Sequence, residues 1–231
     1  MRCAKFIAIN RQLWYFIAMN FRQVQEIVGR DPVFESGLLL AGDVDPASVR
    51  RQLSRLTASG HLIQLRRGLY ALAPPYRKVK PHPFLVANHI VRGSYVSLQS
   101  ALAYHGLIPE HVPVVTSVTT SRPGYRETPL GHFEYHHIKP EFFYGYDVIE
   151  VEDKQTALVA NPEKALLDLV FLQPGSDSRD YLEGLRLENL ERLDFEELER
   201  LAESSGRPKL RRAAAIVGTI VHQEAEEYEA L

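Results

Sequence analysis

The sequence predicts an α+β protein built in two parts. Three observations carry that expectation. Charge divides along the chain: residues 1–80 hold 13 Lys and Arg against 5 Asp and Glu, whereas residues 81–231 hold 14 against 24. The segment "APPYRKVKPHP" (73–83) lies where the sign changes, and neither a helix nor a central strand tolerates its four prolines. Before it, short helical periodicities run into a basic hairpin; after it, β-branched strands give way to helices.

Totals bound the rest. A chain of 231 residues, 45% hydrophobic and 24% charged, suits one large or two small domains. A single cysteine, Cys3, allows no disulfide within the chain and points to a reducing cytoplasm. The opening segment has apolar runs at Phe6–Ile9 and Leu13–Met19, interrupted by Asn10, Arg11 and Gln12. Each run is far short of the roughly 20 residues of a spanning helix, and no small-residue cleavage site follows. The expectation is a cytoplasmic protein with neither signal peptide nor membrane span.

In the first part, "FRQVQEIVG" places Phe21, Val24, Ile27 and Val28 on one helical stripe that ends at Gly29. "PVFESGLLLAG" reads as a second helix closed by Gly42, weakened by Gly37 inside it. A third is signalled at both ends, with Asp45 as N-cap, Pro46 at the first helical position and a stop at Gly60 after Ser59. Val49, Leu53 and Leu56 form its buried stripe. At about 100° per residue the opposite face collects Arg50, Arg51, Ser54 and Arg55 with Ala47 and Ala58. "HLIQL" and "GLYALA" then flank "RRG", a hairpin with Arg66 and Arg67 at its tip and Gly68 supplying a positive φ. Three helices followed by a two-stranded wing make a winged helix-turn-helix, whose third helix enters a major groove while wing cations meet phosphates or the minor groove. The expected partner is double-stranded DNA.

The second part mixes elements. Helices are expected at "PFLVANHIV" and at "SLQSALAYHGL", with Ser97 as N-cap, and strands at "VPVVTSVTT", "GHFEYHHIK", "DVIEVED" and "TALVA". "NPEKALLDLVFL" starts a helix from Asn161 and Pro162, and a helical tail completes a mixed α+β domain. The boundaries expected are an extension over 1–18, the winged helix over 19–73, a linker over 74–82 and the second domain over 83–231.

Three clusters in this second part carry candidate chemistry. Glu152-Asp153-Lys154 matches the E-x-K half of a metal-dependent nuclease, in which a strand would put Glu152 and Lys154 on one face with Glu134 or Asp147 as the second acid. The tripeptide is short and common at solvated strand ends, so the expectation is no catalytic residue. His132, Glu134 and His136 alternate onto one strand face with Phe133, Tyr135 and His137 opposite, a polar strand face rather than a metal site, because no further ligand group accompanies it. Neither metal nor other cofactor is expected. Lys209, Arg211 and Arg212 open a helix whose N-terminal dipole disfavours cations, which leaves two readings: charges kept for a partner such as RNA or an acidic protein surface, or solvated charges balanced by the acidic tail "EAEEYEAL".

Four strings in this order, "VFESGLLLAGDVDPASVRRQLSRLTASGHLIQLRRGLYALAPPY", "YVSLQSALAYHGLIPEHVPVVTSVTT", "NPEKALLDLVFLQPG" and "PKLRRAA", resemble the AbiEi antitoxins of AbiE (type IV) toxin-antitoxin modules of bacteria. The resemblance runs from about Met19 to about Ala215. It implies a winged helix that binds inverted repeats at its own promoter, and a C-terminal domain that counters a nucleotidyltransferase-like toxin without requiring a stable complex. The implied DNA-binding function falls on Arg50, Arg51, Ser54, Arg55, Arg66 and Arg67, and the antitoxic function on the second domain as a whole. The phage-defence setting comes with the resemblance. Because it begins at Met19, translation is expected to start there, which N-terminal mass spectrometry of the native protein tests. The patterning fixes no oligomeric state. A solitary winged-helix regulator is the nearest alternative and a metal-dependent nuclease the distant one.

Overall fold

The computed structural model describes residues 20–41, 44–110 and 112–229. The extension over 1–18, the expected start at Met19, Cys3 and the closing Gly42 lie outside the described residues. The chain divides into two compact units, with the boundary between Pro81 and His82.

The first unit begins with α1 (Phe21–Val28), capped by Asn20, whose side chain accepts from the Gln23 amide while the Gln23 side chain returns to the Asn20 amide. The second expected helix is different in kind. Phe34–Glu35 form a short strand, β1, and only Ser36–Leu40 turn helically, as a 3-10 helix. Phe34 and Glu35 are drawn into pairing with Tyr70 and Leu69, which leaves five residues, one of them Gly37, for the turn. Then α2 (Pro46–Ala58) runs as its ends dictate: the Asp45 carboxylate accepts from the amides of Ala47 and Ser48, and Gly60 beyond the end has φ +74°. Strands β2 (Leu62–Arg66) and β3 (Leu69–Leu72) form the wing, and the sheet has the order β1-β3-β2, all antiparallel.

One core joins these elements. Val24 and Val28 of α1, Leu39 of the 3-10 helix, Val49, Leu53 and Leu56 of α2, and Phe34, Leu62, Tyr70 and Leu72 of the sheet are buried together. The start of the expected linker folds onto it: Tyr76 packs against this core, stacked on His61 with centroids 5.0 Å apart and edge-on to Phe21 at 4.9 Å.

The second unit is built on a six-stranded mixed sheet. Its strands are β4 (Ser94–Val96), β5 (Val114–Thr119), β6 (Gly124–Thr128), β7 (Gly131–His137), β8 (Tyr146–Val151) and β9 (Gln155–Ala160), in the order β6-β7-β5-β4-β9-β8. β4 pairs parallel to β9 and β5 parallel to β7; the other pairs are antiparallel. β4 and β6 were not expected. β4 has three residues, and β6, "GYRET", is an edge strand without an apolar alternation.

Helices cover both faces. Tyr135 lies in register with Ser117, and Ser117 with Val96, so Tyr135 and Val96 share a face and Tyr95 occupies the other. On the first face the Tyr135 hydroxyl donates to the Ala87 carbonyl of α3 (Pro83–Ile90) at 2.8 Å. On the second, Tyr95 donates to Asp168 of α5 (Pro162–Leu172) at 2.9 Å. Ser97 stands at the N-cap position of α4 (Leu98–Tyr104), as expected, yet its hydroxyl does not cap that helix; it donates to Asp168 at 2.8 Å. Three further helices close the unit: α6 (Arg179–Gly184), α7 (Phe195–Ser204) and α8 (Pro208–Glu229).

The centre of this unit holds a charged pair. Lys164 and Asp168, one turn apart on α5, bond to each other with side chains only 4% and 2% exposed. Lys164 also lies over the rings of Tyr144 and Tyr95, at 5.1 and 5.7 Å. Burial pushes the Asp168 carboxyl up, against the pull of the Lys164 ammonium and of the Ser97 and Tyr95 hydroxyls. The same burial, reinforced by Asp168, carries the Tyr95 hydroxyl far above the ordinary tyrosine range. The Lys164 stem passes Gly145, which has φ +71° and no room for a side chain: a Cβ there would meet Lys164 Cγ at 2.9 Å.

Two outcomes follow for stability. Asp168→Ala leaves a buried ammonium unpaired and is expected to lower the unfolding free energy by about 3–5 kcal/mol. Gly145→Ala, strained in φ and in space, is expected to cost about 1–3 kcal/mol. Urea denaturation followed by circular dichroism measures both, and losses under about 0.5 kcal/mol contradict this account of the core.

Candidate nucleic-acid interface

The face of α2 turned away from Val49, Leu53 and Leu56 carries the charge. Arg50, Arg51, Ser54 and Arg55 are all exposed. Arg50 to Ser54 and Arg51 to Arg55 are each one helical turn, about 6 Å of rise, so the cations form a patch rather than a ring. Arg51 approaches the N-cap carboxylate of Asp45 at 3.6 Å in a solvated pair, with 65% and 57% of the two side chains exposed. Among the described residues Arg50 and Arg55 make no ion pair.

The wing separates its two arginines. Arg67 is exposed in the two-residue turn with Gly68, whose φ of +81° serves the turn and whose carbonyl accepts from the Ser36 amide at 2.8 Å. Arg66, expected beside it at the tip, is instead the last residue of β2. Its Nη2 donates to Glu35 of β1 at 2.7 Å and its Nη1 to the Arg67 carbonyl at 3.1 Å. The register explains the placement: pairing shifts between Gln64 and Arg66, so Leu65 is accommodated as a bulge and Arg66 comes level with Leu69, the residue also opposite Glu35. Glu35 has no motif to mark it in the sequence; only the strand pairing of β1 brings it to the wing.

The other candidates are placed as follows. Glu152, Asp153 and Lys154 do not continue the strand; they form a turn between β8 and β9 in which Asp153 and Lys154 have φ of +58° and +59°. Glu152 and Lys154 therefore share no strand face. Glu134 on β7 is separated from β9 and β8, the strands that flank this turn, by β5 and β4, and Asp147 lies near the far end of β8 from the turn, roughly 16 Å of extended chain before Glu152, so neither candidate second acid is brought to Glu152 and Lys154. His136 and Glu134 are 3.4 Å apart on β7. His132 stacks on Tyr125 and lines an open cavity of about 660 Å³ with Phe84, Tyr104 and Phe133; its Nδ1 is buried with no hydrogen-bond partner. Phe133 and Tyr135 are buried on the opposite face, while His137 beside them is exposed. Among the described residues no three His, Cys, Asp or Glu stand as metal ligands, and no helix is long and apolar enough to cross a membrane.

The basic start of α8 has partners inside its own unit. Lys209 Nζ donates to the Gln173 carbonyl at 2.5 Å, Arg211 lies 3.6 Å from Glu203, and Arg212 bonds Asp177 through Nε and Nη2 at 3.0 and 2.6 Å. Among the described residues the acids that meet these cations are Glu203 and Asp177. Sequence reasoning missed the Lys164–Asp168 pair; its signal was two opposite charges at i, i+4 inside a helix apolar on every side, "KALLDLVFL".

The first unit is thus a winged helix-turn-helix with cations on its third helical segment and at its wing tip. Residues 33–73 match the family described as transcriptional regulator, AbiEi antitoxin. The match runs from the residue before β1 through the 3-10 helix, α2 and the wing, so the chain is AbiEi-like over the segment that carries the cationic face. No curated protein matches the chain.

The Arg212 guanidinium holds the Asp177 carboxyl below the ordinary aspartate range. Because the folded value is depressed, the pairing contributes above the ordinary aspartate pKa and is lost as pH falls through the lowered value. Carboxyl carbon shifts followed by NMR should show that lowered midpoint for Asp177 and its return to the ordinary range in Arg212→Ala.

Proposed function

We propose that this protein is the antitoxin of a type IV toxin-antitoxin module in bacterial phage defence: a cytoplasmic, non-enzymatic repressor that binds repeats in its own promoter through residues 19–73 and counters a nucleotidyltransferase-like toxin through residues 83–231. The observation that carries it is the cationic face of α2 within the family-matched segment. Arg50, Arg51, Ser54 and Arg55 enter the major groove, where an arginine reads guanine through two parallel hydrogen bonds. Arg67 meets a phosphate from the wing tip, and Arg66 supports the wing from the end of β2. Lys209, Arg211 and Arg212 fasten α8 to its own unit. The nearest alternative is a solitary regulator, favoured by a family match confined to the DNA-facing segment; it shares the DNA chemistry and lacks the toxin.

Two experiments test this. Arg51→Ala or Arg55→Ala is expected to relax base preference, costing about 1–3 kcal/mol on the promoter duplex and much less on a scrambled one. Equal losses on both duplexes contradict major-groove reading. Co-expression with an adjacent nucleotidyltransferase gene separates antitoxin from solitary regulator. Growth is expected to be restored, and a neighbour that is harmless alone, or whose toxicity persists, overturns the antitoxin assignment.

A further inference from the structure

The geometry points to the Glu35–Arg66 ion pair as a clamp that holds one wing cation away from DNA and leaves Arg67 to make the wing's phosphate contact, with Glu35 as a positioning residue for DNA binding. This rests on the DNA-binding reading above. Two guanidinium nitrogens of Arg66 are engaged within the wing, Nη2 on Glu35 at 2.7 Å and Nη1 on the Arg67 carbonyl at 3.1 Å. The clamp spans the sheet, because Glu35 on β1 and Arg66 on β2 both lie in register with Leu69 of the strand between them. Its side chains are 30% and 34% exposed, against 65% and 57% for the longer Arg51–Asp45 pair. Arg66 would have to surrender a short charge-assisted hydrogen bond to reach a phosphate, and the Glu35 carboxylate would lose that bond near the DNA backbone. Arg67 faces neither cost. Two adjacent arginines in sequence therefore supply one phosphate contact, and Glu35 decides which.

Fluorescence anisotropy with a labelled duplex from the region upstream of the gene, using the full chain over 50–200 mM KCl, reads the number of phosphates engaged from the salt slope. Glu35→Gln removes the carboxylate charge that draws Arg66 across the sheet and is expected to tighten binding at 50 mM and steepen the slope by about 0.9, so that its advantage over the parent shrinks about 3.5-fold by 200 mM. Arg66→Gln should leave the slope unchanged, Arg67→Gln should flatten it by about 0.9, and the double variant Glu35→Gln/Arg66→Gln should return to the parent slope. The inference is overturned if Arg66→Gln flattens the slope as much as Arg67→Gln, or if Glu35→Gln weakens binding with the slope unchanged and the melting temperature intact. The comparison of the two arginine variants decides the matter even if Glu35→Gln does not fold. Failure of the parent to bind any duplex overturns the DNA-binding reading and this inference together; binding by the parent with the wrong pattern among variants overturns this inference alone.

Discussion

Burial of Val49, Leu53 and Leu56 against Val24, Val28 and Leu39 governs the first unit. A helix of thirteen residues has one angular freedom that matters here, its rotation about its own axis, and those three side chains remove it. With the apolar stripe turned inward, Arg50, Ser54, Arg51 and Arg55 have only the outer face to occupy. The wing follows from the same core, since Leu62, Tyr70 and Leu72 pack into it and thereby fix where the turn at Arg67 projects. Charge placement is a by-product of hydrophobic rotation, and the site needs no separate device to aim it.

Local signals were enough where both ends of an element announce themselves. α2 is such a case, bounded by Asp45 and Gly60, and its exposed face was legible from spacing alone. Legibility ended where a residue's state depends on a partner distant in sequence. Phe34 and Glu35 look helical beside "SGLLL" until Tyr70 and Leu69 claim them for a sheet. Arg66 looks like a tip residue until a bulge at Leu65 and the carboxylate of Glu35 draw it back into the strand. At Glu152–Lys154 alternation was carried past the true end of β8, into a turn where two residues take positive φ and no period-two face exists. Lys164 and Asp168 match the spacing of an ordinary solvated pair; Tyr95 and Ser97, which make them a buried network, belong to other elements.

The two units solve the placement of charge in opposite ways. In the first, cations are pushed outward by a core that holds no charged side chain among the described residues. In the second, ammonium and carboxylate are taken inside and satisfied there, the carboxylate by two hydroxyls as well as by the lysine. A core charge of this kind adds little net stability over well-packed apolar residues, but it penalises any arrangement that leaves one member unpaired. The pair thereby ties α5 to β4 in one register, since only there do Tyr95 and Ser97 both reach Asp168.

The passage of the Lys164 stem across Gly145 has an evolutionary side. Three positions, Gly145, Lys164 and Asp168, are each constrained by another: a side chain at the first collides with the second, and loss of the third strands the second's charge. Removing lysine and aspartate together for apolar residues of similar volume would relieve the electrostatic constraint, whereas position 145, at φ +71°, would still favour glycine whatever stands at 164. Each acceptable alternative lies two changes away, across a less stable intermediate. Descent by single substitutions would therefore tend to keep all three residues together, whatever becomes of the surface around them.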